Sequence, residues 1–164
     1  MSLERLWAGW RAEYVGSVGA EDNRGECLFC VLAASADDEA LVVARGAGVF
    51  AVLNLYPYTS GHLMVAPVAH GADLEALAPD VASALIEMTQ RAAAAIKSAY
   101  QPDGLNIGMN LGRAAGAGIP GHLHMHVVPR WAGDTNFMTT TAEVRVLPES
   151  LPITLDRLRA AWPA

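Results

Sequence analysis

The sequence predicts an α+β domain in which helices pack against one antiparallel sheet of about five strands. Three short runs rich in branched apolar residues are followed by a long run with helical periodicity, then by two runs of alternating polarity and a short amphipathic segment. Hairpin-length connections between successive strands favour antiparallel pairing. With 164 residues, 52% hydrophobic and 17% charged, the chain is long and apolar enough to bury one core.

The first three predicted strands are LVVA (41–44), VFAVLNL (49–55) and HLMVAP (62–67). Branched apolar residues dominate each run, as is typical of strands. The turn signals ARGAG and YPYTSG separate the three runs. One long helix is predicted over residues 79–99, because apolar residues recur there at three- and four-residue steps. A shorter helix is predicted over SLPITLDRLRAAW (150–162) at the C-terminus.

Two alternating runs complete the predicted sheet. GLNIGMNLG (104–112) directs Asn106 and Asn110 to one face and its larger apolar residues to the other. A glycine-rich loop, GRAAGAGIPG, follows, and its backbone N–H groups are suited to surrounding phosphate oxygens. HLHMHVVPRW (122–131) then alternates again.

Residues 1–26 are expected to form an N-terminal arm, and residues 27–164 the single domain. The arm carries Trp7, Trp10 and Tyr14 among charged residues, which favours packing on the body or on a partner subunit. It lacks the apolar centre of a secretory signal, and the apolar runs elsewhere are too short to span a membrane. A cytoplasmic location is therefore expected.

The net charge of -6 argues against nucleic acid as a partner, since nucleic-acid binding requires a basic surface. A small phosphate-bearing ligand remains compatible with this charge. Lys97 is the one lysine of the chain. A phosphate site would therefore depend on backbone N–H groups, His, Asn or Arg.

Three of the five histidines, His122, His124 and His126, occupy alternate positions and share one face of the predicted strand. Their imidazoles need hydrogen-bond partners, which makes a purely structural role costly. One metal bound by all three is disfavoured, because i and i+4 on a strand lie about 13 Å apart. Imidazole, with a pKa of about 6.5, is a competent nucleophile at neutral pH. The row therefore predicts nucleophilic attack on phosphorus by the middle histidine.

Cys27 and Cys30 lie two residues apart in the sequence ECLFC. This spacing is typical of a tetrahedral zinc site and of a redox dithiol, although the thioredoxin-like context of a dithiol is missing. Two small buried apolar residues are the third interpretation. A zinc site would need two further ligands, which the histidines can supply.

The motifs resemble those of a known family. HLHMHVV matches the HφHφHφφ signature (φ, apolar) of the histidine triad (HIT) superfamily of nucleotidyl transferases and hydrolases. VLNLYPYTSGHLMVAP is similar to two central strands of that family, and LNIGMNLGRAAGAGIPGH to its phosphate-binding segment. RWAGDTNFM extends the resemblance, which is closest to bacterial diadenosine tetraphosphate phosphorylases and covers roughly residues 27–138. It implies a HIT-like fold.

The resemblance implies a role for each of four histidines. His124 would attack the α-phosphorus and form a nucleotidyl-histidine. His126 would contact phosphate oxygens and help protonate the leaving group. His122 would orient the row through its backbone carbonyl, and His62 matches the supporting histidine of the family.

The resemblance also implies the substrate contacts. Asn54 matches a position that bonds ribose hydroxyls, and Asn110 a position beside the phosphates. Gly116, Ala117 and Gly118 of the glycine-rich loop are expected to bind phosphate. Gly118 departs from the family, in which many hydrolases have Gln and the similar phosphorylases tend to have Ser. The choice between water and phosphate as acceptor therefore stays open.

In family members with a CxxC pair, both cysteines, a histidine of a P-x-x-H segment and the first triad histidine hold structural zinc. Here these residues are Cys27, Cys30, His70 and His122. Two thiols and two imidazoles make a closed zinc site. Free Mg²⁺ accompanying a polyphosphate is a further expectation, as is a homodimer or a higher homo-oligomer.

The expected function is cleavage at the α-phosphate of a dinucleoside polyphosphate, with diadenosine tetraphosphate the leading substrate. Phosphorolysis and hydrolysis are both open. One alternative is an adenosine 5′-phosphoramidate or AMP-conjugate hydrolase that uses the same residues. A non-catalytic nucleotide sensor is the other.

Overall fold

A computed structural model of the chain describes residues 27–134 and 149–163. The predicted arm, residues 1–26, lies outside these ranges. Eight regular helices and strands follow one another in the described parts of the chain: α1 (Leu28–Ala34), β1 (Val42–Arg45), β2 (Val49–Leu53), β3 (Leu63–Pro67), α2 (Pro79–Tyr100), β4 (Gly104–Met109), β5 (Met125–Arg130) and α3 (Leu151–Ala160). Among the described helices, none combines the length and apolar character that a membrane span needs.

The strands form one five-stranded sheet in the order β1-β2-β3-β5-β4. Every neighbouring pair is antiparallel. The predicted α+β class with a five-stranded antiparallel sheet is therefore confirmed. The pairing of β3 with β5 is the one that joins distant parts of the chain, and it aligns Met64 with His126.

Helices α2 and α3 cover one face of the sheet. The 22-residue α2 begins at Pro79. Proline is tolerated there because the N–H that it lacks would have no partner within the first helical turn. The positive charge of Lys97 lies in the last turn, where it interacts favourably with the helix dipole. Its apolar stripe packs with α3 on strand residues that alternate toward this face. The largest fully buried side chains of this core are Leu63, Leu85, Ile96 and Leu158.

Helix α1 covers part of the opposite face and is not among the elements predicted from the sequence. At seven residues it is too short to be stable alone, so its helical form depends on packing. Phe29 supplies that packing and is fully buried. It lies in a second apolar cluster with strand residues that include Phe50, Val52 and Met64.

Arg45, the last residue of β1, binds the C-terminal end of α1. Its guanidinium donates hydrogen bonds to the carbonyl of Ala33 at 2.6 Å and to that of Ser35 at 2.9 Å. A cation at this end of a helix satisfies carbonyls that have no partner within the helix. The same side chain pairs with Asp37 at 2.6 Å.

Two predicted strands were each three residues too long at one end. The run 104–112 is a strand only to Met109, and the run 122–131 becomes one only at Met125. Before Met125 the chain leaves the sheet, because the N–H of Leu123 donates to the carbonyl of Gly71 at 2.7 Å. This bond carries His122 away from the strand and toward the segment after β3.

The core under α3 gives a stability prediction. Leu158→Ala should lower the free energy of unfolding by about 2–5 kcal/mol, since it removes a fully buried side chain from a packed core. Ile153→Ala on the same helix is the control, because Ile153 is 52% exposed and should change stability by less than about 0.5 kcal/mol. Urea unfolding followed by circular dichroism measures both, and equal losses would contradict the packing described here.

Candidate active site

Four histidines converge on the face of the sheet that α1 partly covers. His62 precedes β3, His126 lies in β5, and His122 and His124 lie just before β5. His62, His122 and His124 are buried, while His126 is half-buried. The predicted histidine row therefore forms one cluster in space, at the point where β3 and β5 pair.

The orientation of His124 follows from one backbone bond. Its Nδ1 lies 2.8 Å from the carbonyl oxygen of His122. A carbonyl can only accept, so Nδ1 carries the proton and Nε2 keeps a lone pair. Burial lowers the pKa of His124 below its ordinary value, which keeps the ring neutral at pH 7. A neutral imidazole with a free Nε2 has the form that a nucleophile requires.

The ring of Phe29 backs His124. The two rings are stacked, with centroids 4.8 Å apart and planes 30° from parallel. Phe29 also lies 5.2 Å from the ring of His122. One buried side chain of α1 thus limits the rotation of both imidazoles.

A second backbone bond orients the pair formed by His62 and His126. The N–H of Tyr58 donates to Nδ1 of His62 at 3.1 Å, so that nitrogen must be an acceptor. In a neutral ring the proton of His62 then resides on Nε2, which lies 3.0 Å from Nδ1 of His126. His126 consequently accepts at Nδ1 and carries its own proton on Nε2.

His126 is therefore a neutral hydrogen-bond donor. Burial, with a smaller contribution from neighbouring His124, lowers the pKa of His126 to about 4. Its ring meets that of His124 edge to face, with centroids 5.0 Å apart. A nucleophilic lone pair and an N–H donor side by side can attack a phosphorus atom and stabilise the departing oxygen.

The turn between β2 and β3 places His62. Gly61 has φ +83°, and a Cβ atom there would lie 2.9 Å from the ring of Tyr100. A residue with a side chain would be both strained and obstructed at this position. Glycine therefore allows the chain to turn directly before His62.

Two predicted contact residues lie at opposite margins of the cluster. Asn54 is buried beside His62, with its Nδ2 3.4 Å from Nδ1 of that ring, and its Oδ1 accepts from the N–H of Tyr56 at 2.9 Å. Asn110 donates to the carbonyl of Gly116 at 3.4 Å. The ribose and phosphate contacts assigned to the two asparagines stay predictions.

Backbone hydrogen bonds within the glycine-rich loop occupy two of its N–H groups. The N–H of Gly116 donates to the carbonyl of Arg113 at 2.9 Å, and that of Ala117 donates to Gly112 at 3.3 Å. These two amides are directed into the loop, so an incoming phosphate would compete with these internal bonds. Phosphate binding by residues 116–118 stays a prediction.

Cys27, Cys30, His70 and His122 form a compact cluster beside the row. One potential ligand atom from each lies within 4.8 Å of all the others. The Sγ of Cys27 lies 3.3 Å from Nδ1 of His122, and the Sγ of Cys30 lies 3.5 Å from Nδ1 of His70. Tetrahedral zinc with its usual bond lengths would separate such atoms by about 3.4–3.8 Å. Two soft thiols and two imidazoles of this spacing fit Zn²⁺.

The outer bond of His122 supports the same fit. Its Nε2 lies 2.9 Å from the carbonyl of Pro67, so Nε2 carries the proton and Nδ1 is free to bind metal. Metal-binding histidines commonly donate their other N–H to a carbonyl in this way. His122 therefore belongs to the cysteine and histidine cluster through its side chain and orients His124 through its backbone carbonyl.

Two residues of the site were missed by the sequence analysis, namely Phe29 and Tyr58. Phe29 lies between the two cysteines, and this position was the available signal. The ring of Tyr58 is tilted over His62 with ring centroids 4.7 Å apart, and Tyr58 follows Pro57 in the predicted turn. Nothing in the turn pattern indicates which imidazole a tyrosine will face.

A comparison with models of protein families shows which family the chain belongs to. The model of the HIT domain matches residues 36–133, which is more than half of the sequence. The chain belongs to the HIT family. The match includes β1 to β5 and the complete histidine row, and the fold and triad described above agree with it.

Relatives within the HIT family extend the comparison. The chain is 41% identical over 165 residues to the AP-4-A phosphorylase of Mycobacterium tuberculosis, covering 98% of this chain and 85% of the relative. It is 31% identical over 111 residues to the protein hit of Bacillus subtilis, covering 68% of this chain and 75% of that protein. The chain therefore resembles a known enzyme over nearly its whole length.

Solved HIT structures share the fold. A zinc-bound histidine triad family protein from Mycobacterium smegmatis has a TM-score of 0.66 and 31% identity, covering 83% of this chain and 92% of that protein. A histidine triad nucleotide-binding protein from Sulfolobus tokodaii has a TM-score of 0.66 and 26% identity, covering 82% of this chain and 91% of that protein.

The cysteine and histidine cluster gives a second prediction. Wild-type protein purified without chelator should contain about one zinc per chain, and Cys30→Ser and Cys30→Ala should both lose it. The free energy of unfolding of each variant should be lower than that of the wild type by several kcal/mol, on the order expected for loss of a structural zinc site. Elemental analysis and urea unfolding measure these effects. If Cys30 were only a small apolar residue, Cys30→Ala would keep the wild-type stability, and that result would contradict the zinc site.

Proposed function

We propose that this HIT protein is a phosphorylase of dinucleoside polyphosphates that forms a nucleotidyl-histidine intermediate on His124. The observation that carries the proposal is the hydrogen-bond pattern of the two rings, from which we infer a lone pair on Nε2 of His124 and a proton on Nε2 of His126. The identity with an AP-4-A phosphorylase over nearly the whole chain supports this substrate class. Diadenosine tetraphosphate is the substrate to test first.

The first step would be an in-line displacement at the α-phosphorus. The lone pair of His124 Nε2 forms a P–N bond while the bond to the bridging oxygen breaks, and the electron pair leaves with ATP. The N–H of His126 donates a hydrogen bond to the departing oxygen. The second step reverses the first, because a phosphate oxygen attacks phosphorus, the P–N bond breaks, and ADP forms. A water acceptor would yield AMP instead.

We also propose that Zn²⁺ occupies the Cys27, Cys30, His70 and His122 cluster and stabilises the fold without taking part in bond cleavage. When bound, the ion would hold α1 against the segment that precedes β5. Phe29 and the carbonyl of His122 would then keep His124 in place. Mg²⁺ bound to the polyphosphate, the substrate contacts of the two asparagines and the glycine-rich loop, and the cytoplasmic location remain predictions.

The decisive experiment for the activity compares wild type with His124→Ala. With diadenosine tetraphosphate and labelled inorganic phosphate, the wild type should release ATP and ADP, with the label in the β-phosphate of ADP. His124→Ala should lose at least about 1000-fold in kcat, because a missing nucleophile cannot be replaced by binding alone. Chromatography of the products measures both results.

The remaining outcomes separate the alternatives. Release of AMP and ATP without incorporation of label would identify a hydrolase. Turnover of adenosine 5′-phosphoramidate without turnover of the tetraphosphate would contradict the polyphosphate assignment. A bound, uncleaved nucleotide would favour a sensor. Unchanged melting temperature and zinc content in His124→Ala ensure that lost activity reflects the missing imidazole.

We further propose that the protein is a homodimer that uses β4. Within the described residues β4 pairs on one side only, with β5, and Ile107 on this strand is 48% exposed. An edge strand with an exposed apolar residue favours pairing with another chain. Sedimentation equilibrium at micromolar concentration should show a dimer, and Ile107→Glu should shift it to monomer. A monomeric wild type would contradict the proposal.

A further inference from the structure

Tyr58 contacts the histidine pair with two different parts of the residue. Its backbone N–H donates to Nδ1 of His62, which fixes the proton position on both rings of the pair. Its side chain is tilted over His62 and stacked on His126, with the latter centroids 6.1 Å apart and the planes 21° from parallel. The phenol ring therefore lies across the 3.0 Å hydrogen bond that joins His62 to His126.

The ring of His126 needs this contact to keep its direction. An imidazole turns about its second side-chain torsion in a broad, roughly two-fold potential, so torsional preference alone does not fix its direction. One hydrogen bond at Nδ1 leaves the plane of the ring free to tilt about that bond. His124 meets His126 edge to face at 76°, and Tyr58 stacks on it nearly parallel. Together these contacts restrict the tilt and therefore the direction of the N–H at Nε2.

The backbone and the side chain of Tyr58 act on different properties of His126. The backbone N–H determines which nitrogen holds the proton, and every residue except proline would supply it. The aromatic ring contacts the face of His126, and a side chain without a ring would lose this contact. The two roles can therefore be separated by substitution of the side chain.

We propose that Tyr58 is a positioning residue that directs the Nε2 proton of His126 toward the oxygen that leaves the α-phosphorus. The inference rests on the proposed function, in which His124 attacks and His126 stabilises the departing oxygen. As the bond to that oxygen breaks, its electron pair moves onto the oxygen, and the hydrogen bond from His126 stabilises the developing charge. A more basic leaving group depends more strongly on this bond.

The test uses a series of aryl esters of AMP whose phenols differ in acidity. The nitrophenyl ester has a leaving group that needs little stabilisation, whereas the unsubstituted phenyl ester needs much more. Wild type, Tyr58→Leu and Tyr58→Phe are compared through the dependence of log(kcat/KM) on the pKa of the phenol, because kcat/KM includes departure of the phenol but not the later attack on the common nucleotidyl-histidine. Tyr56→Leu is the matched control, since it removes a neighbouring tyrosine ring that is 64% exposed.

Tyr58→Leu should lower kcat/KM by about 5- to 10-fold for the phenyl ester, a loss that corresponds to one aromatic stacking contact. The nitrophenyl ester should lose less than about 2-fold, because it depends little on the hydrogen bond. The slope of log(kcat/KM) against phenol pKa therefore becomes steeper. Tyr58→Phe keeps the ring and should restore the wild-type slope, while Tyr56→Leu should keep it.

Three outcomes overturn the inference. An unchanged slope in Tyr58→Leu shows that the ring does not act through His126. Equal losses for all esters indicate a general structural defect, and a steeper slope in Tyr56→Leu indicates an effect common to any tyrosine of this turn. If the wild type cleaves neither the esters nor diadenosine tetraphosphate, the proposed function itself fails. This result differs from the others because it appears before any substitution is made.

Discussion

The hydrogen bond from Nδ1 of His124 to the backbone carbonyl of His122 is the contact on which the site depends. The two atoms lie 2.8 Å apart, and because Nδ1 holds the proton, the lone pair of His124 lies on Nε2. The residue that supplies the carbonyl also belongs to the cysteine and histidine cluster through its own ring. A displacement of His122 would therefore alter the orientation of His124 and the cysteine and histidine cluster together, although the two are chemically distinct.

Backbone groups are reliable partners for this purpose because each has one fixed role as donor or acceptor. The carbonyl of Pro67 determines the protonated nitrogen of His122, and the N–H of Tyr58 determines that of His62 and, through it, that of His126. A water molecule or a second histidine, in contrast, can act either as donor or as acceptor. The site is thus organised before any ligand arrives, which reduces the reorganisation needed during reaction.

Local periodicity predicted the helices and strands whose own residues carry a regular apolar pattern. The long helix, the three early strands and the C-terminal helix agree with the structure to within about two residues, the usual uncertainty of such boundaries. Helix α1 escaped prediction because its stability comes from Phe29 packing on distant strands. The late start of β5 escaped it because a bond from Leu123 to Gly71 overrides the alternating pattern. The spacing of the histidines indicated nucleophilic chemistry, and the family resemblance added their roles, whereas the position of Tyr58 depends on the three-dimensional turn.

The location of the site over the β3–β5 pairing has a consequence for folding. This pairing aligns three residue pairs, and the bond from His62 to His126 joins residues 64 apart in sequence. Contacts between distant segments form late, because the entropy of closing the intervening chain opposes them. A refolding chain would recover its long helix and its first hairpin before these two imidazoles meet. Recovery of activity would then mark the completion of folding more faithfully than recovery of secondary structure.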